Sequence, residues 1–342
     1  MTHSNLVLIG FGNVGRSFAR LLLRKEAELK ERYAITFAIT AIATRRHGAA
    51  LDLNGLDIQR ALKLVEAGQP LNVLSAQPAP ADMLELICTC EADVLFENTP
   101  VNYQTGQPAV DHLRTALSCG MHAITANKGP VVHAYRSLTE LARSKGRRFF
   151  FESTVMDGAP IFSLFRDTLP AARLLSFRGV LNSTTNLILT RMENGESFDE
   201  AVHYAQKIGI AETDPSGDID GWDASVKVAA LVTVLMDTPL KPAEVDRQGI
   251  RQITAEEISR AKASGKRWKL VCSARRTGQG IQAKVSPELV GMDSPMFSVE
   301  GTTSIIQFET DVLGLLSVVE SDPGPDTTAY GLLADFINAV RS

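Results

Sequence analysis

The sequence predicts an α/β protein in two parts. Residues 1–155 form a doubly wound parallel sheet, and residues 156–323 form an α+β domain with a mixed sheet. The terminal helix, 324–342, is expected to pack back on the first part. Three observations predict this. Short apolar runs alternate with amphipathic helical segments through the first half. A GxGxxG turn, Gly10, Gly12 and Gly15, follows the first of those runs. From about residue 156 the alternation stops, and later stretches such as "RWKLVCSARR" and "IQAKVSPELV" read as strands.

The elements follow in order. "NLVLIGFGNVG" is a strand running into the glycine turn, and "RSFARLLLRKEAELKER" is a helix with Phe18, Leu21, Leu22 and Leu29 on its apolar face. "AITFAITAIAT" is a second buried strand. In such a unit Gly10 allows the tight turn, Gly12 admits a pyrophosphate to the backbone, and Gly15 lets helix and strand approach. Asn13 and Val14 lie inside the same turn, and the helix start offers free N–H groups to phosphates. This is a Rossmann-type nucleotide site. The second strand carries no Asp or Glu to hold a ribose 2′-hydroxyl and ends in Thr44, Arg45 and Arg46. Guanidinium groups there suit a 2′-phosphate, which favours NADP while leaving NAD possible.

"ADMLELICTC" is a helix, "ADVLFENTP" a strand, "QPAVDHLRTALSCG" a helix, and "MHAITANKGP" a strand and loop. "VVHAYRSLTELARSKG" is a helix and "RRFFFEST" a strand. Ligands in doubly wound sheets sit at the carboxyl ends of strands. That places Asn98, Thr99 and Pro100 at one candidate site, and Asn127 and Lys128 at another. Residues 50–82 interrupt the pattern with helical and loop material that carries no assigned role.

In the second part "ARLLSFRGVL" is a strand, "NSTTN" (182–186) a run of small polar residues, and "LILTRMENG" a short helix. "SFDEAVHYAQKIGI" opens with a capping box, Ser197 and Glu200. "AETDPSGDIDGWDASVK" gathers Glu212, Asp214, Asp218, Asp220 and Asp223 ahead of Lys227, and then leads into "VAALVTVLM". A helix apolar on every side is buried on every side. A lysine one turn beyond Asp223 on that helix is a candidate proton donor and acceptor; the plain alternative is an exposed ion pair. The other carboxylates suit a substrate ammonium group. Plainer roles remain for them: dipole pairing for Asp220 and Asp223, and an Asx-turn for Asp218. "SDPGPDTT" opens the last helix, with Gly324 as a second candidate anion contact beside the ordinary reading of a helix start.

A chain of 342 residues accommodates two domains, and a net charge of −4 points to neither nucleic acid nor an anionic membrane as partner. No signal peptide is visible, and the apolar runs fall short of the ~20 residues a span needs. Cys88, Cys90, Cys119 and Cys272 match no metal-ligand spacing and are expected to be buried free thiols, which suits a reducing cytoplasm.

The glycine turn, "NTP" (98–100), "TANKGP" (125–130), "ESTV" (152–155), "GVLNSTTNLIL" (179–189), "AETDPSGDIDGWDASVK" (211–227) and "PGPDTTAYGLLADFI" occur in an order that resembles homoserine dehydrogenases over essentially the whole chain. Ser183 stands where that family usually has glycine. The resemblance implies reversible NAD(P)H reduction of L-aspartate 4-semialdehyde to L-homoserine, in threonine and methionine biosynthesis. It implies Lys227 as the acid/base lysine and Lys128 as a second active-site lysine. Glu212 and Asp223 would position the substrate's amino end and the catalytic water or lysine, with Asp218, Thr184 and Asn182 among the substrate contacts. It further implies a homodimer built on the second domain, and a sodium ion near Glu152 and Val155, although Met156 and Asp157 depart from the small residues usual there. Oxidation of the alcohol needs a neutral lysine, so alkaline pH should favour it. A regulatory domain after the terminal helix is not expected, nor is threonine inhibition through one. The rival expectations are another amino-acid-linked dehydrogenase of this plan, or a nicotinamide-binding sensor without turnover.

Overall fold

The computed structural model describes residues 1–341. The chain divides into two compact units: Met1–Pro160 with the segment from Gly324 onward, and Ile161–Pro323.

The first unit begins β1 (Thr2–Ile9), α1 (Asn13–Tyr33), β2 (Ile35–Thr44), β3 (Gly48–Leu51), α2 (Ile58–Glu66), α3 (Met83–Thr89), β4 (Val94–Glu97) and α4 (Ala109–Ser118). It continues with β5 (His122–Thr125), α5 (Lys128–Ser144) and β6 (Phe149–Phe150). The strand order is β3-β2-β1-β4-β5-β6, parallel except for the antiparallel edge strand β3. β1 pairs with β2 on one side and β4 on the other. The order therefore reverses at β1, and the crevice beyond its carboxyl end is where such sheets bind ligands.

The second unit holds β7 (Leu174–Val180), α6 (Ser183–Glu193), α7 (Phe198–Lys207), α8 (Ser216–Ile219), α9 (Trp222–Leu235), β8 (Asp246–Arg247) and α10 (Ala255–Ala263). Then come β9 (Lys266–Thr277), β10 (Gly280–Gly291), β11 (Ser304–Thr310) and β12 (Gly314–Glu320). Its sheet runs β12-β11-β7-β9-β10-β8 and is mixed: β8 is parallel to β10 and the other pairs are antiparallel. Helices α6, α9 and α10 pack on its central strands. α9 is buried along most of its length, from Asp223 and Ala224 through Thr233. The chain then returns to the first unit as α11 (Pro325–Val340), which packs on α1. Phe336 of α11, Phe96 of β4 and Phe18 of α1 form a line of rings with centroids 6.0 and 4.4 Å apart.

Several local expectations are corrected. A short strand, β3 (Gly48–Leu51), runs into the start of the stretch left without a role. Lys128 is the first residue of a helix and not part of a loop, because the Asn127 side chain accepts from the Gly129 N–H at 2.9 Å and caps α5 there. "NSTTN" is likewise the start of α6, with Asn182 as its cap. Of "RRFFFEST" only Phe149 and Phe150 pair as strand. The Glu152 N–H instead donates to the Asp335 carboxylate of α11 at 2.8 Å, and the backbone turns through Glu152–Thr154. The cysteines do not all remain free and buried: Cys88 and Cys119 are exposed and joined by a disulfide, Cα to Cα 5.9 Å. Cys88 and Cys90 are two residues apart on and beside α3, about 200° around a helix, so one faces the end of α4 while the other faces the core. Cys90 and Cys272 are buried free thiols, which burial pushes up to about 11 and about 12.

Candidate active site

In the first unit the glycine turn meets the loop that follows the neighbouring strand β4. Gly10 has φ +91, and a Cβ there would lie 2.6 Å from the Asn98 carbonyl carbon. A Cβ on Gly15 would lie 2.4 Å from the Gly10 oxygen, so α1 can sit this close to β1 only without a side chain. Over Gly12, by contrast, a Cβ would meet nothing within 4 Å. The first turn of α1 has no side-chain cap and no acidic residue. An open backbone with free N–H groups at a helix start is what a pyrophosphate needs. Asn13 and Val14 form the start of this helix, and the Arg16 guanidinium, 2.8 Å from Asn13 Oδ1, adds a cation that the motif reading did not include.

The Asn127 amide donates to the Thr99 carbonyl at 3.0 Å, tying the loop before Lys128 to the loop Asn98-Thr99-Pro100. Thr99 is held in turn by the buried Glu97 carboxylate at the end of β4. Both polar atoms of the Asn98 side chain are buried with no hydrogen-bond partner among the described residues. A buried amide left unsatisfied beside a glycine turn fits a polar ligand edge. The open turn and this orphaned amide together fit a dinucleotide. At the end of β2, Thr44 Oγ1 accepts from the His47 N–H at 2.7 Å, and Arg45 and Arg46 are exposed. Gly324 caps α11, its N–H donating to Thr327 Oγ1 at 2.8 Å. Glu152 and Val155 are buried. Among the described residues, no group of three His, Cys, Asp or Glu side chains could hold a metal ion.

In the second unit the acidic stretch splits its carboxylates between tasks. Asp220 pairs with Arg251 at 2.9 Å, while Arg247 bonds the Asp220 carbonyl and stacks 3.8 Å over the Trp222 ring. Asp214 caps the turn at Ser216, which lowers its carboxyl. Glu212 is exposed, and its backbone carbonyl accepts from Gln206.

Asp218 and Asp223 converge. Asn182 Nδ2 donates to Asp218 Oδ1 at 2.7 Å and to Asp223 Oδ2 at 3.0 Å. Burial, and then the charge of Asp223, raise the Asp218 carboxyl above its ordinary value. Thr184 is buried next to them, its Oγ1 3.3 Å from the Ile210 carbonyl. Lys227 completes the cluster. Its Nζ lies 3.3 Å from Asp223 Oδ2 and donates to the Leu181 carbonyl at 2.6 Å. The side chains of Lys227 and Asp223 are only 15% and 11% exposed, so this is not the solvated pair that an i,i+4 spacing usually gives. The arrangement presents a sheltered amine beside two carboxylates. It can move a proton at a ligand oxygen while binding a ligand cation.

Comparison with known proteins bears on both clusters. A family model described as "Homoserine dehydrogenase" matches residues 160–337, and one described as "Homoserine dehydrogenase, NAD binding domain" matches residues 10–152. The chain is 37% identical over 339 residues to a homoserine dehydrogenase of Methanocaldococcus jannaschii, covering 99% of each chain. It is 34% identical to an NAD(+)-dependent homoserine dehydrogenase of Pseudomonas canavaninivorans, covering 100% of this chain and 97% of that one. A hyperthermophilic archaeal homoserine dehydrogenase solved with NADPH superposes with a TM-score of 0.84 at 28% identity, covering 99% of this chain and 98% of that one. With its glycine turn in one unit and its lysine–carboxylate cluster in the other, the chain belongs to the homoserine dehydrogenase family.

Proposed function

We propose that this NAD(P)-dependent oxidoreductase interconverts L-homoserine and L-aspartate 4-semialdehyde, with Lys227 as the group that moves the proton. The observation that carries this reading is the sheltered Lys227 amine, held by the Leu181 carbonyl and the Asp223 carboxylate. When bound, the nicotinamide cofactor supplies the hydride in reduction and accepts it in oxidation. In reduction, negative charge grows on the carbonyl oxygen; the Lys227 ammonium stabilises that charge and then protonates the oxygen, a contribution of about 10²–10⁴-fold. In oxidation, neutral Lys227 takes the hydroxyl proton. Asp223, with Glu212 on the flanking loop and Asp218, receives the substrate's ammonium group. Lys128, half-buried at the start of α5, serves as the second active-site lysine.

The residues of the glycine turn, with Asn98, Thr99, Pro100 and Lys128, would hold the cofactor, with Gly324 as a further anion contact. Exposed Arg45 and Arg46, on a strand end without a carboxylate, favour NADP over NAD. A sodium ion at Glu152 and Val155 belongs to the same reading, as does a cytoplasmic role in threonine and methionine biosynthesis. A homodimer is supported by the exposed apolar side chains Leu289, Leu313, Leu315 and Val319 on and beside the second unit's sheet. The test is turnover of L-homoserine by the purified chain with NADP and NAD in parallel. The reading expects turnover with both, a higher kcat/KM for NADP, and a loss of that preference in Arg45→Ala/Arg46→Ala. Cofactor binding without turnover would refute the activity, and an unchanged preference in the double variant would refute the role of the arginines.

A further inference from the structure

The Asn182 side-chain amide bonds within the protein through both its oxygen and its nitrogen. Its Oδ1 accepts from the Thr185 N–H at 2.9 Å, and the single Thr185 hydroxyl lies 2.9 Å from that oxygen and 3.1 Å from the Asn182 carbonyl. That fixes which way the amide faces, because only the nitrogen can then point at carboxylates. Both N–H bonds of Nδ2 are spent, one on Asp218 Oδ1 and one on Asp223 Oδ2. The side chain is buried, and it caps α6 from residues 36 and 41 positions away from those it grips.

We infer that Asn182 is a positioning residue: its locked amide clamps Asp218 and Asp223 to one another and so keeps the Asp223 carboxylate on the Lys227 amine. The inference rests on the assignment of Lys227 as the proton-transferring group. The clamp gives two neighbouring carboxylates a shared donor where direct contact would bring two negative charges together. Thr184 also hydrogen-bonds Asp218, and the charged and titratable groups nearby are engaged as follows. Lys227, on α9, already bonds Leu181 and Asp223. Cys272, on β9, interacts with Lys227 and Asp223, but burial pushes its thiol up to about 12, so it stays neutral. Arg247 and Arg251 are engaged by Asp220.

Two variants separate this role from simple helix capping. Asn182→Asp and Asn182→Ser both retain a cap acceptor that helix starts favour. Asn182→Asp puts an oxygen where the shared donor stood. Its kcat/KM for homoserine, as a ratio to wild type, is expected to fall steadily as pH rises, because protonation at low pH returns a donor. Asn182→Ser is expected to lose about 10- to 100-fold in kcat, the worth of one hydrogen bond to a charged group, with KM for NADP unchanged. The third measurement is carbon-13 titration of the Asp218 carboxyl, which reads the clamp whether or not the enzyme turns over. Asp218 should titrate higher in Asn182→Ser than in wild type, because the lost donor favoured its ionised form. Superimposable Asp218 titrations, or a pH-independent activity ratio for Asn182→Asp, would overturn the inference. Inactive wild-type protein with a shifted Asp218 titration would instead overturn the assigned reaction and leave the clamp standing.

Discussion

Replacing Lys227 by methionine keeps a long unbranched side chain and removes the amine. Two separate losses follow from the geometry. The first is catalytic: the Lys227 ammonium no longer donates to the developing oxyanion. Positioned proton transfer contributes about 10²–10⁴-fold, which corresponds to about 2.7–5.4 kcal/mol of barrier at 1.36 kcal/mol per decade. The second is structural. Asp223 is left with its carboxylate 11% exposed and its cation gone. Stranding one partner of a buried pair costs about 3–5 kcal/mol, and the retained Asn182 donor places this case toward the lower figure. The double variant Asp223→Asn/Lys227→Met removes the stranded charge, so it should regain most of the stability and none of the activity. Homoserine-dependent formation of reduced cofactor measures the first effect, and urea denaturation followed by circular dichroism measures the second. The reasoning fails if Lys227→Met keeps more than about a tenth of wild-type kcat, or if the double variant is no more stable than the single one.

Three further outcomes are expected. Asp218 has a raised carboxyl in the folded state, so it weakens folding increasingly as pH rises from the unfolded carboxyl range through its folded value. Asp218→Asn should therefore melt with wild type in acid and above it at neutral to alkaline pH, while losing about tenfold or more in activity; an equal melting temperature at every pH contradicts this. His122 is lowered to about 4 by burial and then by Arg147 and Arg148, and its Nδ1 accepts the Arg148 N–H, which requires the neutral ring. The stability it contributes is present above about pH 6.5 and is lost as pH falls toward 4. After discounting for its partial exposure it amounts to about 1–2 kcal/mol, and His122→Gln should flatten that part of the stability profile. The Cys88–Cys119 disulfide spans 31 residues. Loop-closure entropy assigns such a bridge about 3–4 kcal/mol, so reductant or Cys88→Ser/Cys119→Ser should lower the denaturation midpoint with activity at low denaturant preserved. Identical midpoints would show that the bridge does not stabilise the fold.

Much of the first unit is legible because two periodicities alternate there, and because glycines mark the turn after β1, where a Cβ would strike backbone at Gly10 and Gly15. β3 is not, since "GAAL" has too little side chain to signal a strand, and its pairing with β2 is a tertiary choice. α5 and α6 start earlier than apolar periodicity indicates, because their first turns, "KGP" and "STTN", have no apolar period. Asn127 and Asn182 were the available signals, as N-cap residues immediately before them. The capping box of α10, Thr254 and Glu257, is a short signal beside the stronger β pattern that follows it. In the site, the sequence pointed to Lys227 and Asp223 through the buried helix they share. It could not show that Asp218, expected in a local turn, meets Asp223 through Asn182, because no short-range pattern encodes a contact across 36 residues. The Cys88–Cys119 bond is hidden for the same reason.

The most direct measurement is a crystal structure of the chain with L-homoserine and an oxidised nicotinamide cofactor bound together. The account predicts the Lys227 Nζ within about 2.6–3.2 Å of the substrate hydroxyl oxygen, with Asp223 still on the amine. A hydroxyl that instead rests on another side chain, with Lys227 turned away from it, would contradict the account.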